Sequence, residues 1–168
     1  MKSDHYEIWQ SVRDFRRCWD CKRLQGTLFP IGVFNPIEPP LHLNCRCWLE
    51  RAEAKYAGTA TKNGVQGADW WLINYGKLPP YYINEEDALN IGWKPWLGNL
   101  GKVAPGKMLG GKVFLNRNYQ LPTVAGRIWY EADINYIGGF RKAERILYSN
   151  DGLIFATYDH YKTFVEII

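Results

Sequence analysis

Four side chains near the end of the chain are of the types needed to cleave a phosphodiester bond without a metal ion. Glu131 stands in the alternating run IWYEAD, Arg141 and Arg145 are four residues apart, and His160 is one of only 3 histidines. A carboxylate can take a proton from an attacking hydroxyl, guanidinium groups can hold a phosphate as charge builds on it, and an imidazole can protonate the leaving oxygen. These residue types predict acid–base chemistry on a phosphate ester.

Each of these residues also has a plainer interpretation. Glu131 could be a surface carboxylate on a strand, and His160 an exposed turn histidine. The two arginines could be solvated, or could pair with Asp133 and Asp151. From these residues alone, both interpretations stay open.

The elements that would position them follow from the pattern of the C-terminal part. GADWWLINY has apolar residues at helical spacing with Gly76 as its stop, and Asn84 can cap a second helix that opens with EEDAL. Five segments of strand type follow: KVF, RIWYEAD, RILYS, LIFAT and TFVEI. This order predicts an α+β domain with two or three helices packed on a four- or five-stranded antiparallel sheet. On a strand, Trp129, Glu131 and Asp133 would share one face.

Composition predicts a packed globular protein. Hydrophobic residues make up 46% of the chain and aromatic residues 15%. No apolar run reaches the roughly 20 residues that span a bilayer, and the opening MKSDHYEIWQ lacks a signal-peptide core. Residues 1–63 carry 10 Lys+Arg and 7 Asp+Glu, and residues 64–168 carry 11 and 10. Because neither part is strongly basic, attraction to phosphate must come from a local basic site.

All four cysteines fall between positions 18 and 47, so they serve a local framework. CWDC supplies Cys18 and Cys21, and HLNCRC supplies His42, Cys45 and Cys47. This spacing is typical of zinc sites, and a metal would stabilise a segment too short to bury a core. Zinc held by Cys18, Cys21, His42 and Cys45, with Cys47 as the substitute ligand, is favoured. Two disulfides, formed in an oxidising compartment, are the alternative.

Residues 1–17 are predicted to form a short helix, because apolar side chains recur there at helical spacing. They are Tyr6, Ile8, Trp9, Val12 and Phe15. RAEAKYAG is typical of the end of another helix, and GTATKNG of a linker. The sequence therefore predicts a small Cys/His-rich segment with its linker over residues 1–62 and the α+β domain over residues 63–168.

Six motifs occur in order along residues 65–168: YGKLPPYYI, GNLGKVAPGKMLGG, the pair Asn116–Arg117, GRIWYEADINY, GFRKAERILYS and YDHYKTF. In this order they resemble the barnase-like family of bacterial extracellular ribonucleases. The resemblance implies the microbial ribonuclease fold and an endoribonuclease that cleaves single-stranded RNA with guanine preference. It implies no cofactor for catalysis.

The resemblance also implies roles for single residues. Glu131 would be the general base that takes the proton from the ribose 2′-OH, and His160 the general acid. Arg145 would lie closest to the phosphate, Arg141 would support it, and Tyr161 would line the site beside the histidine.

Further positions follow from the same family pattern. Asn116 and Arg117 would lie in the loop that recognises guanine. Arg127 with Asp151, and Asp133 with the two arginines, would be structural ion pairs.

Two departures from the family pattern bear on activity. The acidic residue that helps bind the base edge is replaced by Asn118, so a weakened guanine preference is expected. The family's active-site lysine aligns with Glu85 and a family aspartate with Lys112, so two charges are exchanged. If these positions are neighbours, Lys112 restores a cation near the phosphate. If they are not, a transition-state contact is missing and the rate falls.

The N-terminal pattern CxxC…G…PPxHxNCRC resembles the C-terminal tail of phage head-morphogenesis (minor head) proteins, which are often fused to toxin domains. The favoured hypothesis is a monomeric ribonuclease toxin domain, delivered as part of a longer protein to a target-cell cytoplasm and inhibited by an acidic barstar-like immunity protein. One alternative is an interaction module of a phage-related structural protein that lost activity through the exchange at Glu85. Another is a zinc-dependent nucleic-acid binder driven by residues 1–50.

Overall fold

The computed structural model describes all 168 residues and contains nine β-strands and four α-helices. Two compact units account for the chain. The first comprises residues 1–54 and 116–126, and the second residues 55–115 and 127–168. The loop 116–126 thus groups with the N-terminal residues. Whether residues 1–62 and 63–168 are separate domains stays a prediction. None of the helices is both long and apolar enough to cross a membrane.

The first unit is built around a long central strand. It contains β1 (Lys2–Ser11), α1 (Trp19–Leu24), β2 (Leu28–Pro30) and β3 (Cys47–Lys55). Strand β1 pairs antiparallel with both β2 and β3, and it carries the fully buried Trp9. The helix predicted for residues 1–17 is therefore wrong. Two neighbouring strands need β1 as their hydrogen-bonding partner, and this pairing outweighs the helical spacing of its apolar residues.

Strand β3 corrects a second prediction. RAEAKYAG was expected to end a helix, but its first five residues belong to β3. Ala52 and Ala54 are buried while Arg51 and Glu53 are exposed, which is the two-residue alternation of a strand with one face on a core. Helix-favouring composition is a weak determinant when a neighbouring strand offers a full ladder of hydrogen bonds.

The loop 116–126 is held by side-chain and backbone hydrogen bonds inside the first unit. The Asn116 amide accepts from the Leu121 N–H at 3.1 Å and donates to the Leu121 carbonyl at 2.8 Å. The Leu28 N–H donates to the Gln120 carbonyl at 2.8 Å. Leu121 is fully buried, so the loop is anchored at its centre.

The second unit begins with three short helices: α2 (Ala68–Tyr75), α3 (Glu85–Asn90) and α4 (Leu100–Val103). The two predicted helices are confirmed. Gly76 ends α2 with φ 65°, a left-handed conformation that glycine adopts without strain, and the Asn84 side chain accepts from the Asp87 N–H at the start of α3. Helix α4 was not predicted, because its four residues lie in a passage rich in glycine.

Six strands form the sheet of the second unit in the order β9-β8-β7-β6-β5-β4. They are β4 (Tyr82–Ile83), β5 (Met108–Phe114), β6 (Trp129–Asp133), β7 (Arg145–Ser149), β8 (Ile154–Thr157) and β9 (Val165–Ile167). The mixed α/β composition and the five predicted strand segments are confirmed. The predicted four- or five-stranded antiparallel sheet is wrong, because β4 adds a parallel pair with β5. Only two residues form β4, too few for a visible alternation.

The two faces of this sheet have different chemistry. One face carries Ala132, Ile146 and Ala156, which are buried in a core with Ala68 and Leu72 of α2. The register of β6 puts Glu131 and Asp133 on the other face. The helix therefore covers one side of the sheet, and the polar side chains lie on the opposite side.

Candidate active site

Glu131 lies at the centre of β6 with a strand on either side. Its direct partners are Lys112 of β5 and Leu147 of β7, and the next same-face residue of β6, Asp133, is paired with Arg145. Residues directly opposite in an antiparallel pair share a face with Cβ atoms about 5 Å apart. The sheet thus places the Lys112 side chain next to Glu131, which is half-buried.

Asp133 pairs with both arginines predicted for the site. Arg141 Nε and Nη2 lie 2.9 Å and 2.7 Å from its two carboxylate oxygens, and Arg145 Nε lies 3.0 Å from Oδ1. Arg145 Nη1 also donates to the Lys142 and Glu144 carbonyls, at 2.5 and 2.8 Å. Asp133 is 2% exposed and the Arg145 side chain 7% exposed, so this pair is shielded from water, whereas Arg141 is 29% exposed. Asp133 balances one of the two guanidinium charges, and the Glu131 carboxylate on the same face lies close enough to interact with Arg141.

His160 is presented by a turn that Asp159 organises. The Asp159 carboxylate accepts from the backbone N–H groups of Lys162 and Thr163 and from the Thr157 hydroxyl. His160 and Tyr161 have φ angles of 59° and 65°, a conformation uncommon for side chains of their size. Strain of this kind persists only where surrounding contacts hold it, and here it leaves the imidazole exposed.

Tyr161 contacts both predicted catalytic residues. Its hydroxyl donates to Glu131 Oε2 at 2.6 Å, and its ring centroid lies 4.9 Å from that of His160. Phe114 stacks on the same ring, with centroids 5.2 Å apart and an angle of 19° between the ring planes. The structure therefore brings Glu131 and His160 to the same tyrosine.

Tyr161 and Arg141 are both perturbed by this arrangement. Burial, together with the hydrogen bond to the Glu131 carboxylate, raises the pKa of Tyr161 well above its usual value, so the phenol stays protonated and donating. Burial opposes the charged form of Arg141, but the hydrogen bond and the charge of Asp133 outweigh it and raise the Arg141 pKa. Both residues keep fixed roles across the physiological pH range: Tyr161 donates and Arg141 is cationic.

Glu85 and Lys112, the two positions at which the sequence resemblance implies exchanged charges, are neighbours. Lys112 Nζ lies 2.7 Å from Glu85 Oε2, so the ion pair between β5 and the start of α3 is confirmed. The predicted structural pair is present as well, with Arg127 Nη2 2.8 Å from Asp151 Oδ2.

Asp159 and Phe114 contribute to the site but were not predicted from the sequence. The role of Asp159 could have been predicted, because an aspartate with threonines two residues before it and four residues after it is typical of a turn closed by side-chain hydrogen bonds. Nothing in the sequence indicates Phe114, whose contact with Tyr161 depends on the pairing of distant strands.

The predicted guanine-binding residues lie in the first unit. Asn116 is 9% exposed, and its side-chain amide forms hydrogen bonds within the loop. The Arg117 and Asn118 side chains are exposed. Asn116 adopts φ 45°. Its side chain is therefore a support for the loop, and Arg117 and Asn118 are the side chains available to a ligand.

The predicted metal ligands also come together in the first unit. His42 Nε2 lies 3.1 Å from Cys18 Sγ and 3.6 Å from Cys21 Sγ, and Cys21 Sγ lies 3.7 Å from Cys45 Sγ. Around a tetrahedral zinc ion, S···S and S···N edges are about 3.8 and 3.5 Å. Cys47 joins Cys21 and Cys45 in a second group whose sulfur atoms all lie within 4.8 Å of one another. The candidate ligand atoms thus form two groups of three that share Cys21, and all four thiols are free.

The thiols differ in acidity. The Cys21 N–H, which donates to Cys18 Sγ at 3.4 Å, lowers the pKa of Cys18. Burial would raise the pKa of Cys45, but the backbone N–H groups around it lower the value to about 7. Burial raises the pKa of Cys21 and Cys47. Thiolates are the form that binds metal, so Cys18 and Cys45 lose their protons more readily than Cys21 and Cys47.

Comparison with known proteins gives a family match. A family model described as ribonuclease matches residues 49–168. A ribonuclease of Heyndrickxia coagulans is 51% identical over 108 residues, which is 64% of this chain and 99% of that protein. Ribonucleases of Bacillus intermedius and Bacillus pumilus are each 51% identical over 108 residues, 64% of this chain and 67% of those proteins. The α1 helix and the Cys/His cluster precede the matched residues.

Proposed function

The chain belongs to the ribonuclease family and is thus an RNA-cleaving hydrolase by family, and we propose that it is a guanine-preferring endoribonuclease that needs no metal for catalysis. Tyr161 carries the proposal, because it contacts both Glu131 and His160 beside two arginines. A base, an acid and a cationic floor are the groups that phosphodiester transesterification requires. The side chains at hand supply all three.

In the first step, Glu131 takes the proton of the ribose 2′-OH, and this oxygen attacks its own phosphorus. The bond from phosphorus to the 5′-oxygen breaks, and His160 gives its proton to that leaving oxygen. The product is a 2′,3′-cyclic phosphate. In the second step, water opens the ring, with His160 now taking a proton from water and Glu131 returning one to the 2′-oxygen.

The arginines support this reaction as fixed charges. Asp133 holds the Arg141 guanidinium in a two-point contact and also pairs with Arg145, so neither guanidinium needs to reorganise as charge builds on the phosphate. Planar guanidinium groups match the spacing of phosphate oxygens. Lys112 of β5 lies next to Glu131 on the same face and adds a third cation, on the side of β6 opposite to β7.

Guanine preference rests on the loop that Asn116 supports. Backbone groups of this loop and the exposed Arg117 and Asn118 are the proposed contacts to the base. Asn118 can accept a hydrogen bond but lacks the charge of the family's acidic residue, so a modest preference is proposed.

We also propose a structural zinc ion in the N-terminal segment, held by Cys18, Cys21, His42 and Cys45. The S···S and S···N distances of 3.7 and 3.6 Å support it. Zinc would stabilise the segment by fixing residues far apart in sequence, and it takes no part in the reaction.

As to biological role, we propose a toxin domain delivered to a target cell and inhibited by an acidic protein of the barstar type. An acidic partner would complement the Arg141 guanidinium, whose side chain is 29% exposed beside Asp133. Expression of the active chain should stop growth of a bacterial host, and the Glu131→Gln variant should not.

Cleavage of a short RNA tests the enzymatic proposal. Glu131→Gln and His160→Gln should each lower turnover by about 10²- to 10⁴-fold without changing thermal stability. Glu86→Gln and His5→Gln, both at exposed positions, are the matched controls and should retain activity. An oligonucleotide with deoxyribose at the cleavage position should not be cut.

A second candidate function is favoured by one observation, the ion pair by which Glu85 partly balances the charge of Lys112. The protein would then be a ribonuclease-like module that binds RNA but does not cleave it, because the charge of Lys112 is not fully available to the phosphate. Such a protein would bind the RNA of the cleavage assay and leave it intact, with the same result for wild type and Glu131→Gln.

A further inference from the structure

A cavity of about 580 Å³ lies within the first unit, lined by residues of helix α1 and of the loop 116–126. Ligand pockets in proteins are typically about 300 to 1,000 Å³. The cavity is large enough for a nucleotide. Helix α1 precedes the residues matched by the ribonuclease family model, so this cavity is partly built from a segment that the family match does not include.

Two exposed aromatic side chains line the cavity. Trp19 of α1 is 72% exposed and Tyr119 of the loop is 70% exposed. Tyr119 has φ 52°, a conformation rare for an aromatic residue, and its N–H donates to the Asn116 carbonyl at 2.8 Å. An aromatic ring that is held in solvent by a strained backbone is suited to stacking on a flat ligand.

Three cationic side chains line the same cavity. Lys22 and Arg23 follow Trp19 by three and four residues, so the three share one face of α1, while Cys21 and Leu24 on the other face are buried. Arg117 contributes a third cation from the loop. The Arg23 guanidinium already lies 5.4 Å from the centre of the Trp19 ring. Stacking rings next to several cations are the combination by which proteins bind single-stranded nucleic acid.

We propose that this cavity is a nucleotide subsite for single-stranded RNA. A base stacks on Trp19 and Tyr119, and the adjacent phosphates contact Lys22 and Arg23. The inference rests on the proposed function, since it takes RNA as the substrate, but it adds the N-terminal segment as a part of substrate recognition.

Binding of a non-cleavable oligonucleotide to the full-length chain tests the subsite. A fluorescent single-stranded RNA with 2′-O-methyl groups binds without being cut, because it lacks the nucleophilic hydroxyl, and its Kd is measured by anisotropy. Trp19→Ala should raise the Kd about tenfold, the loss expected for one stacked base. Phe15→Ala removes an aromatic ring that is 95% exposed in the same unit but outside the cavity, and should leave the Kd unchanged.

Salt dependence gives the second readout. Lys22→Ala should reduce the slope of log Kd against log salt concentration by about 0.7, the value for one phosphate contact on a single strand. Arg13→Ala, an exposed cation of the same unit, should not change the slope. Equal Kd values for Trp19→Ala and Phe15→Ala, or equal slopes for Lys22→Ala and Arg13→Ala, would overturn the subsite.

The cleavage assay separates this inference from the proposed function. If wild type cleaves RNA and Trp19→Ala binds the oligonucleotide as wild type does, the subsite is refuted and the ribonuclease proposal stands. If wild type does not cleave RNA, the proposed function is wrong whatever the binding shows. A cavity that serves an acidic protein partner would leave oligonucleotide binding unchanged in every variant, which also refutes the subsite.

Discussion

The ammonium group of Lys112 lies 2.7 Å from the carboxylate of Glu85, and the Lys112 side chain shares a face with Glu131 on the neighbouring strand. By the resemblance of the sequence, the pair is predicted to reverse the charges that the family has at these two positions. One cation therefore remains close to the proposed base, but it is carried by β5 instead of α3. Its charge is partly balanced by its partner.

Lys112→Ala should lower RNA turnover about tenfold, equivalent to roughly 1.4 kcal/mol of transition-state stabilisation. The reason is the loss of the only lysine placed directly opposite Glu131. Stability should change by less than about 1 kcal/mol, because the two side chains are 55% and 35% exposed. Steady-state cleavage of a dinucleotide and thermal denaturation measure the two effects.

Lys102→Ala, at an exposed position of α4, is the control for this experiment and should cleave normally. Glu85→Gln removes the balancing charge and should raise turnover. Wild-type turnover in Lys112→Ala would show that Lys112 does not compensate for the exchanged charges.

A second prediction concerns Asp133, which pairs with both arginines and is 2% exposed. Asp133→Asn keeps the volume but leaves two guanidinium groups without their counter-charge. Removing one partner of a buried ion pair typically costs about 3 to 5 kcal/mol, and a loss in this range is expected from denaturant unfolding. Asp151→Asn, which breaks a more exposed pair, should cost under about 1 kcal/mol. Similar losses in the two variants would contradict the bridging role of Asp133.

Local signals were sufficient for the parts of the fold that depend on neighbouring residues. The stop at Gly76, the cap at Asn84 and the shared face of Glu131 and Asp133 follow from sequence, because a turn, a cap and a strand each have a short-range requirement. The Cys/His spacing also indicated that distant cysteines meet, and the distance of 3.7 Å between Cys21 and Cys45 bears this out.

Other parts depend on partners that are distant in sequence. The segment around Trp9 has apolar residues at helical spacing but forms a strand, because it lies between β2 and β3. The contact between Tyr161 and Glu131 requires a turn with two successive positive φ angles, and no residue pattern announces such angles at a histidine and a tyrosine. Pairing of remote strands and tertiary strain are not encoded in short-range periodicity.

The zinc proposal predicts which cysteine is dispensable. Cys21 belongs to both groups of candidate ligands, so Cys21→Ser should lose the metal whichever group binds it. Cys47→Ser should keep the metal if Cys18, Cys21, His42 and Cys45 are the ligands. Zinc content of protein purified under reducing conditions measures both. Loss of zinc in Cys47→Ser with retention in Cys18→Ser would assign the site to the other group.

The ion pair between Arg127 and Asp151 should make the free energy of unfolding depend on pH in the acid range. The hydrogen bond from Arg127 lowers the pKa of Asp151 from 3.8 to about 2. A carboxyl group with a lowered pKa stabilises the folded state fully above pH about 4, and this contribution disappears as the pH falls to about 2. Because Asp151 is partly exposed, the contribution is below about 1 kcal/mol. Unfolding of wild type and Asp151→Asn should therefore differ at pH 6 and converge near pH 2; a constant difference would refute this assignment.

Asn118→Glu should sharpen the preference for guanine. The exposed Asn118 amide offers one neutral acceptor, whereas a carboxylate at this position accepts two hydrogen bonds from the base edge and adds charge. Charge-assisted hydrogen bonds are roughly twice as strong as neutral ones, so the ratio of kcat/KM for guanine- over adenine-containing dinucleotides should rise about tenfold. Asn118→Gln lengthens the side chain without adding charge and serves as the control. If Asn118→Gln raises the ratio as much as Asn118→Glu, the length of the side chain and not its charge limits base recognition. The prediction that the neutral amide weakens guanine preference would then be wrong.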